Sequence, residues 1–120
     1  ELLEKEILSQ THPVLCEKLG DLYFSLNRPA DTKASYERAL KLKPTRNQSN
    51  RLLLALAALE SQAGDTEAAL DRMEQLLEQD VTYPEKDTLL SSMRFLAEQA
   101  GLTDRAASIG KRIAPDENKP

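Results

Sequence analysis

The sequence has few of the residues on which catalytic and metal-binding sites are built. Its 120 residues include one histidine, one cysteine, four glycines and no tryptophan. A lone cysteine excludes an internal disulfide, and a lone histidine leaves a metal site or a histidine-based triad without a second member. The glycines are isolated and form no phosphate-binding loop. We therefore expect a protein that is not an enzyme and that holds no metal or cofactor.

Aromatic residues and long apolar runs are scarce as well. Three tyrosines and two phenylalanines accompany 40% hydrophobic and 30% charged residues, a composition that favours thin, stacked helices over a thick globular core. No apolar run approaches the roughly 18 residues of a membrane-spanning helix, so we expect a soluble chain without membrane insertion. A net charge of −4 argues against a nucleic-acid partner. The sequence favours neither the cytoplasm nor the periplasm.

Three helix-breaking turns divide the chain at equal intervals. Asn27, Gly64 and Gly101 mark these turns and are 37 residues apart, each between an apolar-periodic stretch and an alanine-rich one. Equal spacing indicates helix–turn–helix repeats stacked into an all-α solenoid. Because an amphipathic pattern is already under way at Glu1, we expect the chain to begin within a longer array. The predicted segments are the end of a preceding helix at 1–10, repeats at 11–46, 47–83 and 84–115, and a disordered tail at 116–120.

Capping residues predict where several helices begin. Side-chain oxygens of Thr and Asp can accept hydrogen bonds from the free N–H groups of a first helical turn. The caps assigned in this way are Thr11 for the first helix, Asp31 for the second, and Asp65 with Thr66 for the fourth.

The last predicted helix is less regular than the others. It is expected to run through Ile113 to Pro115, and Gly110 in its interior costs about 1 kcal/mol relative to alanine. Such a helix is typical of a terminal cap or of a helix that lacks its neighbour. Ile109 and Ile113 would then be available for association between chains.

The first repeat resembles the tetratricopeptide repeat (TPR). The residues that carry the resemblance are Leu19-Gly20 and Tyr23 in one helix, Tyr36 and Ala39 in the next, and Pro44 at the end. The second repeat is a degenerate copy, with Glu60 at the tyrosine position and Met73 at the aromatic one. The third has Arg94 at the small position and Gly110 at the aromatic one, so its membership rests largely on spacing.

The resemblance implies a right-handed superhelix of antiparallel helix pairs. In such solenoids the first helix of each pair lines a concave groove that binds a peptide or a segment of a partner protein. Acidic groove residues would favour a ligand with Lys or Arg, and phenylalanines would anchor apolar groups, although core packing of both phenylalanines is an equal alternative. The candidate groove residues are Glu17, Asp21, Phe24, Arg51, Leu54, Ala58, Ser61, Ser91, Phe95 and Glu98.

One ligand of the family is not expected. Some TPR proteins hold the acidic C-terminal peptide of Hsp70 or Hsp90 through a clamp of Lys, Asn and Arg side chains. The corresponding positions here are Glu17, Asp21, Ala55, Thr88 and Ser92, and none of them is a clamp donor. We predict no binding of that peptide.

Two functions follow from these patterns. The first is a non-catalytic protein–protein interaction module, a scaffold that binds its partner in the groove as part of a larger assembly. The alternative is a purely structural spacer or self-association segment of a longer solenoid, with a homo-oligomer formed through the terminal helices.

Overall fold

The computed structural model describes residues 12–113, and this part of the protein is all-helical. The predicted all-α class is confirmed, since six helices and no strand occur in that range. The segments predicted at 1–10 and 116–120, and the cap Thr11, lie outside the described residues. The helices are α1 Pro13–Ser25, α2 Pro29–Lys41, α3 Arg46–Gln62, α4 Thr66–Gln79, α5 Lys86–Gln99 and α6 Thr103–Gly110.

Two helices begin at side-chain caps. The Asp65 carboxylate accepts a hydrogen bond from the Ala68 N–H at 3.2 Å and caps α4, as predicted. The Thr45 hydroxyl accepts from the Gln48 N–H at 3.1 Å and caps α3. Thr66, the second residue predicted to cap α4, is instead its first helical residue.

The predicted cap of α2 is wrong. This helix begins at Pro29, so Asp31 lies inside its first turn. Proline has its φ fixed near the helical value and needs no N–H partner at this position, which lets the helix begin earlier. The Asp31 carboxylate pairs with the Arg28 guanidinium at 2.6 Å, near the positive end of the helix dipole.

The three turns that are 37 residues apart share one backbone geometry. Asn27, Gly64 and Gly101 have positive φ values of 59°, 87° and 78°. Asparagine and glycine are the residues that enter this left-handed region most readily, which explains their use here. The next residue in each turn donates its N–H to the carbonyl five residues back: Arg28 to Tyr23 at 3.0 Å, Asp65 to Glu60 at 2.8 Å and Leu102 to Ala97 at 2.8 Å.

Each helix packs on its neighbours in sequence. The most extensive contacts join α1 with α2, α3 with α4, and α5 with α6, which we call the first, second and third pairs. Smaller contacts of α2 with α3 and of α4 with α5 link one pair to the next. The resulting molecule is elongated, with dimensions of 60 × 28 × 20 Å.

Two apolar clusters form the core. The larger contains thirteen buried residues from α3 to α6 and joins the second pair to the third. The smaller joins Cys16, Tyr36 and Ala39 of the first pair to Leu52 and Leu56 of α3. Burial raises the pKa of the Cys16 thiol, as expected for a small residue packed in an apolar cluster.

Glycine allows close helix packing in the first and third pairs, but it lies on the first helix of the first pair and on the second helix of the third. A Cβ atom on Gly20 would lie 2.4 Å from Cε1 of Tyr36, so α1 can approach this ring only through glycine. A Cβ atom on Gly110 would lie 3.2 Å from Cδ of Arg94. Gly20 corresponds to Arg94 and Tyr36 to Gly110 after two intervals of 37 residues. The large side chain therefore comes from the second helix in the first pair and from the first helix in the third.

The end of α6 differs from the prediction. The helix ends at Gly110 and does not continue through Ile113, which lies in a bend. Ile109 is only 1% exposed and belongs to the larger cluster, against which half-buried Ile113 also packs. The prediction that these isoleucines are available for association is wrong, because they complete the core of their own chain.

Candidate functional site

Most of the candidate groove residues lie at the surface of α1, α3 and α5. The phenylalanines are exposed rather than packed in the core, with 57% of Phe24 and 59% of Phe95 accessible to solvent. Single exposed apolar side chains are common on protein surfaces, so they indicate a binding site only where a hollow or other apolar residues adjoin them. The other exposed candidates are Asp21, Arg51, Ala58, Ser91 and Glu98, and the half-buried ones are Glu17, Leu54 and Ser61.

Phe24 forms one wall of an apolar hollow between α1, α2 and α3. The hollow has a volume of about 190 Å³. This exceeds the volume of about 150 Å³ at which an engineered apolar cavity binds benzene, so one aromatic or branched aliphatic side chain fits. Its lining consists of Phe24, Tyr36, Ala55, Ala58, Leu59 and Gln62.

Four of these lining residues were missed by sequence reasoning. Ala55, Leu59 and Gln62 lie three or four positions from Ala58 or from each other, so helical periodicity places them on one face of α3. Periodicity alone could therefore have identified these three residues. It could not have identified Tyr36, whose position depends on how α2 packs against α1 and α3.

Asp21 places a negative charge beside the hollow. The Tyr36 hydroxyl donates a hydrogen bond to Oδ1 of Asp21, while the Tyr36 ring lines the hollow. Burial of the ring, followed by this bond to a carboxylate, raises the pKa of Tyr36. Asp21 itself remains exposed. The Tyr36 ring thus lies between an apolar group bound in the hollow and the Asp21 carboxylate.

Glu17 has a structural role that the sequence did not suggest. The Arg51 guanidinium binds its carboxylate through two hydrogen bonds, at 3.0 Å from Nε and 2.8 Å from Nη2. Gln48 donates a third, at 3.3 Å. The bonds from Arg51 lower the pKa of Glu17 and raise that of Arg51. This pair links α1 to α3, so the Glu17 carboxylate already has a cationic partner within the fold. Its role as a groove residue stays a prediction.

Other charged side chains are also committed to the fold. Glu60 is 3% exposed and pairs with the Arg72 guanidinium at 2.9 Å and the Lys33 ammonium at 3.3 Å. Arg72 also binds Glu37, and its hydrogen bonds to Glu60 raise its pKa above the ordinary value. In the described residues, no buried side-chain nitrogen or oxygen lacks a hydrogen-bond partner. The buried charges therefore hold α2, α3 and α4 together and offer no unsatisfied group to a ligand.

Two further features bear on the classes of site. Within residues 12–113, no three His, Cys, Asp or Glu side chains come together as a metal site would require. None of the helices described is long and apolar enough to cross a membrane. His12 is exposed immediately before α1.

No protein-family model matches the chain, and none of the curated proteins has significant sequence similarity to it.

Proposed function

We propose that residues 11–46, 47–83 and 84–115 are three TPR-like repeats that stack as antiparallel helix pairs in a right-handed α-solenoid. The identical turns at Asn27, Gly64 and Gly101 support this, because each closes one helix pair after the same interval. Helix contacts restricted largely to sequence neighbours support it as well, since each repeat in a solenoid touches only the next.

We further propose that this solenoid is a non-catalytic interaction module that binds a peptide or a segment of a partner protein. The observation that carries this proposal is the apolar hollow beside Phe24. It lies on the face shared by α1 and α3, it is open to solvent, and its volume suits a single large apolar side chain. Buried apolar anchors of this kind supply most of the affinity in peptide recognition.

The charges around the hollow favour a partner with a basic residue next to its apolar anchor. Asp21 is exposed and accepts a hydrogen bond from Tyr36, whose ring lines the hollow, whereas Glu17 is already paired with Arg51. The acidic C-terminal peptide of Hsp70 or Hsp90 would meet this carboxylate unfavourably. The expected ligand is therefore an apolar or aromatic side chain followed or preceded by Lys or Arg.

Peptide selection on the purified chain tests this proposal. A phage-displayed library of random peptides is selected on the immobilised protein, and each selected peptide is titrated by calorimetry against wild type and Ala58→Glu. Ala58 is exposed at the hollow, so the variant keeps its fold while placing a charge in the binding space. We expect the affinity to fall at least about tenfold, the equivalent of 1.4 kcal/mol.

Two variants make the result specific. Val81→Glu changes a residue that is 73% exposed between α4 and α5, and we expect it to bind like wild type. Asp21→Asn removes the charge and should weaken peptides that contain Lys or Arg more than those that do not. If the library yields no peptide, or if the selected peptides bind Ala58→Glu as tightly as wild type, groove binding at the hollow is wrong.

A further inference from the structure

Positive charge is concentrated where α2 connects to α3. Lys41, Lys43 and Arg46 lie within six residues of one another, and all three side chains are exposed. We call these three residues the basic turn. No acidic residue occurs from position 38 to position 59. In a chain whose net charge is −4, the basic turn is therefore a local region of the opposite sign.

The cations of the basic turn are not committed to the fold. The ion pairs formed within residues 12–113 include neither Lys41 nor Lys43. Arg46 pairs with the Asp80 carboxylate only at 3.8 Å, and 65% of its side chain is exposed, so this pair contributes little. Asp80 also accepts a hydrogen bond from Asn50 at 3.0 Å, which it keeps if Arg46 turns to a ligand.

The equivalent turn of the second pair shows that the repeat does not require these cations. One interval of 37 residues later, Glu78 and Asp80 occupy the positions of Lys41 and Lys43. Basic side chains can stabilise the last turn of a helix by interacting with its dipole, but α4 ends without one in its last turn. The positive charge is thus a property of this turn and not of the repeated fold.

A groove between α2, α3 and α4 adjoins the basic turn. It has a volume of about 350 Å³, within the usual range of ligand sites. Two of its lining residues, Leu40 and Pro44, are the chain neighbours of Lys41 and Lys43, so the basic turn forms one rim. We call this surface the polar groove. Its lining consists of Leu40, Pro44, Arg46, Ser49, Gln75 and Gln79.

The amide side chains of the polar groove suit a peptide. A glutamine offers an N–H donor and a carbonyl acceptor, the same two groups that a peptide backbone presents. Gln79 is positioned by the hydrogen bonds that its Nε2 donates to Ser49 at 2.7 Å and to Asn50 at 3.1 Å, and Gln75 is exposed one turn earlier. None of the lining residues is aromatic, so the groove has no platform on which a nucleic-acid base could stack.

We propose that the polar groove binds a short acidic segment of a partner protein. The Asp or Glu side chains of this segment pair with the basic turn, while its backbone lies along Gln75 and Gln79. Opposite charge then selects the segment and speeds its encounter with the groove. The polar groove shares no lining residue with the hollow beside Phe24, so the inference is independent of binding at the hollow. The two surfaces also favour ligands of opposite charge.

Fluorescence anisotropy on the complete chain tests the inference. The probe is a labelled short peptide in which glutamate alternates with serine, and we expect it to bind the wild type more tightly than the same peptide with glutamine for glutamate. Lys41→Glu combined with Lys43→Asp gives the first turn the acids of the second and should weaken binding at least about tenfold.

Two further variants serve as controls. Lys18→Glu combined with Lys86→Glu changes the net charge by the same amount at exposed positions outside the polar groove, and it should alter the affinity by no more than about twofold. Ala58→Glu, which lies at the hollow, should bind the glutamate peptide like wild type. Circular dichroism should show unchanged helices in every variant, since all the changed residues are exposed.

Two more arms identify the surface and the ligand. Gln75→Glu is isosteric and places a carboxylate in the polar groove, so it should weaken the glutamate peptide several-fold. A peptide with lysine for glutamate should bind the Lys41→Glu/Lys43→Asp variant more tightly than the Lys18→Glu/Lys86→Glu control. The proposal is overturned if the glutamate peptide does not bind the wild type, or if the control loses as much affinity as the variant of the basic turn. Tighter binding of an oligothymidylate of equal charge also overturns it, because the surface would then select nucleic acid.

Discussion

The first helix pair is closer to the TPR pattern in sequence, whereas the third contributes more residues to the apolar core. In sequence the first pair resembles the TPR pattern more closely than the third, yet among the described residues it contributes only Cys16, Tyr36 and Ala39 to the smaller apolar cluster. The third pair resembles the pattern mainly in its spacing, yet it contributes six residues to the larger cluster. Those six are Leu89, Leu90, Met93, Ala97, Ala106 and Ile109. Similarity to a sequence pattern is therefore a poor measure of how firmly a pair is packed.

Their contact positions explain part of the difference. Gly20 against Tyr36 and Arg94 against Gly110 each combine one residue without a side chain with one long side chain. Close packing fixes how much side-chain volume fits between two helices, but either helix can provide the large side chain. A substitution that looks like a loss of the pattern can thus preserve the contact.

The largest expected effect compares the two clusters directly. Ile109→Ala should lower the free energy of unfolding by about 3 kcal/mol, because it leaves a cavity among well-packed residues. Cys16→Ala in the smaller cluster removes a single buried sulfur and should cost about 1 kcal/mol. Urea denaturation followed by circular dichroism measures both. Ile109→Ala removes three carbons and Cys16→Ala one sulfur, so equal losses would show that Ile109 does not occupy a tightly packed site.

The next effect concerns the close approach in the first pair. Gly20→Ala should destabilise the protein by about 2 kcal/mol, because the new Cβ overlaps the Tyr36 ring. The same substitution made together with Tyr36→Met reproduces the alanine and methionine found at positions 57 and 73. We expect most of the additional cost to disappear in that background. An undiminished cost would mean that the ring is not its cause.

A smaller, pH-dependent effect concerns the link from the first pair to the second. Arg51 lowers the folded-state pKa of Glu17 below its ordinary value of 4.5, so the unfolded state binds the proton more readily. The resulting stabilisation is present above that value and is lost as the pH falls through the lowered pKa. It should amount to about 1 kcal/mol or less, because Arg51 is largely exposed.

Denaturation at a series of pH values checks this link. Glu17→Gln removes the titrating carboxylate, so the free energy of unfolding should fall less steeply as the pH is lowered from 5. Asp71→Asn provides the matched control, since Asp71 is an exposed acid that pairs with Arg105 between the second and third pairs. If the two variants change the profile equally, the half-buried pair has no special role.

The smallest expected effect has the opposite sign. Gly110→Ala should stabilise the protein by up to about 1 kcal/mol, because alanine favours the helix. Its Cβ would meet the flexible Arg94 side chain at Cδ, 3.2 Å away, and at Nη1, 3.4 Å away, and this side chain can move by a few tenths of an ångström. Ala107→Gly on the same helix should reverse the effect. Thermal denaturation distinguishes the two, and a loss of stability in Gly110→Ala would show that Arg94 is held rigidly.

Much of the fold could be predicted from local chemistry. The turns at Asn27, Gly64 and Gly101 follow from the backbone freedom of asparagine and glycine, and the Asp65 cap follows from its side-chain oxygen. The start of α2 and the end of α6 were not predicted, since Pro29 and Gly110 outweighed the more distant signals at Asp31 and Pro115.

The candidate site was less predictable. Sequence spacing placed Phe24, Ala58 and Asp21 on the first helices, but not the neutralisation of Glu17 by Arg51, which lies 34 residues away. It also left open whether the phenylalanines pack in the core. Each of these features depends on the distance between helices. Periodicity shows only which residues share a face of one helix, so it could not predict them.

The sequence by itself determined where the helices begin and turn, since those choices depend on side chains within a few residues of each other. Only the tertiary structure decided which charges cancel, which aromatics stay exposed and which leucines lack a partner. Leu22 and Leu59 occupy equivalent positions in their helices, yet one is exposed and the other packs against a neighbouring pair. Their difference comes from what lies beside them, because burial is a property of neighbours brought together by folding.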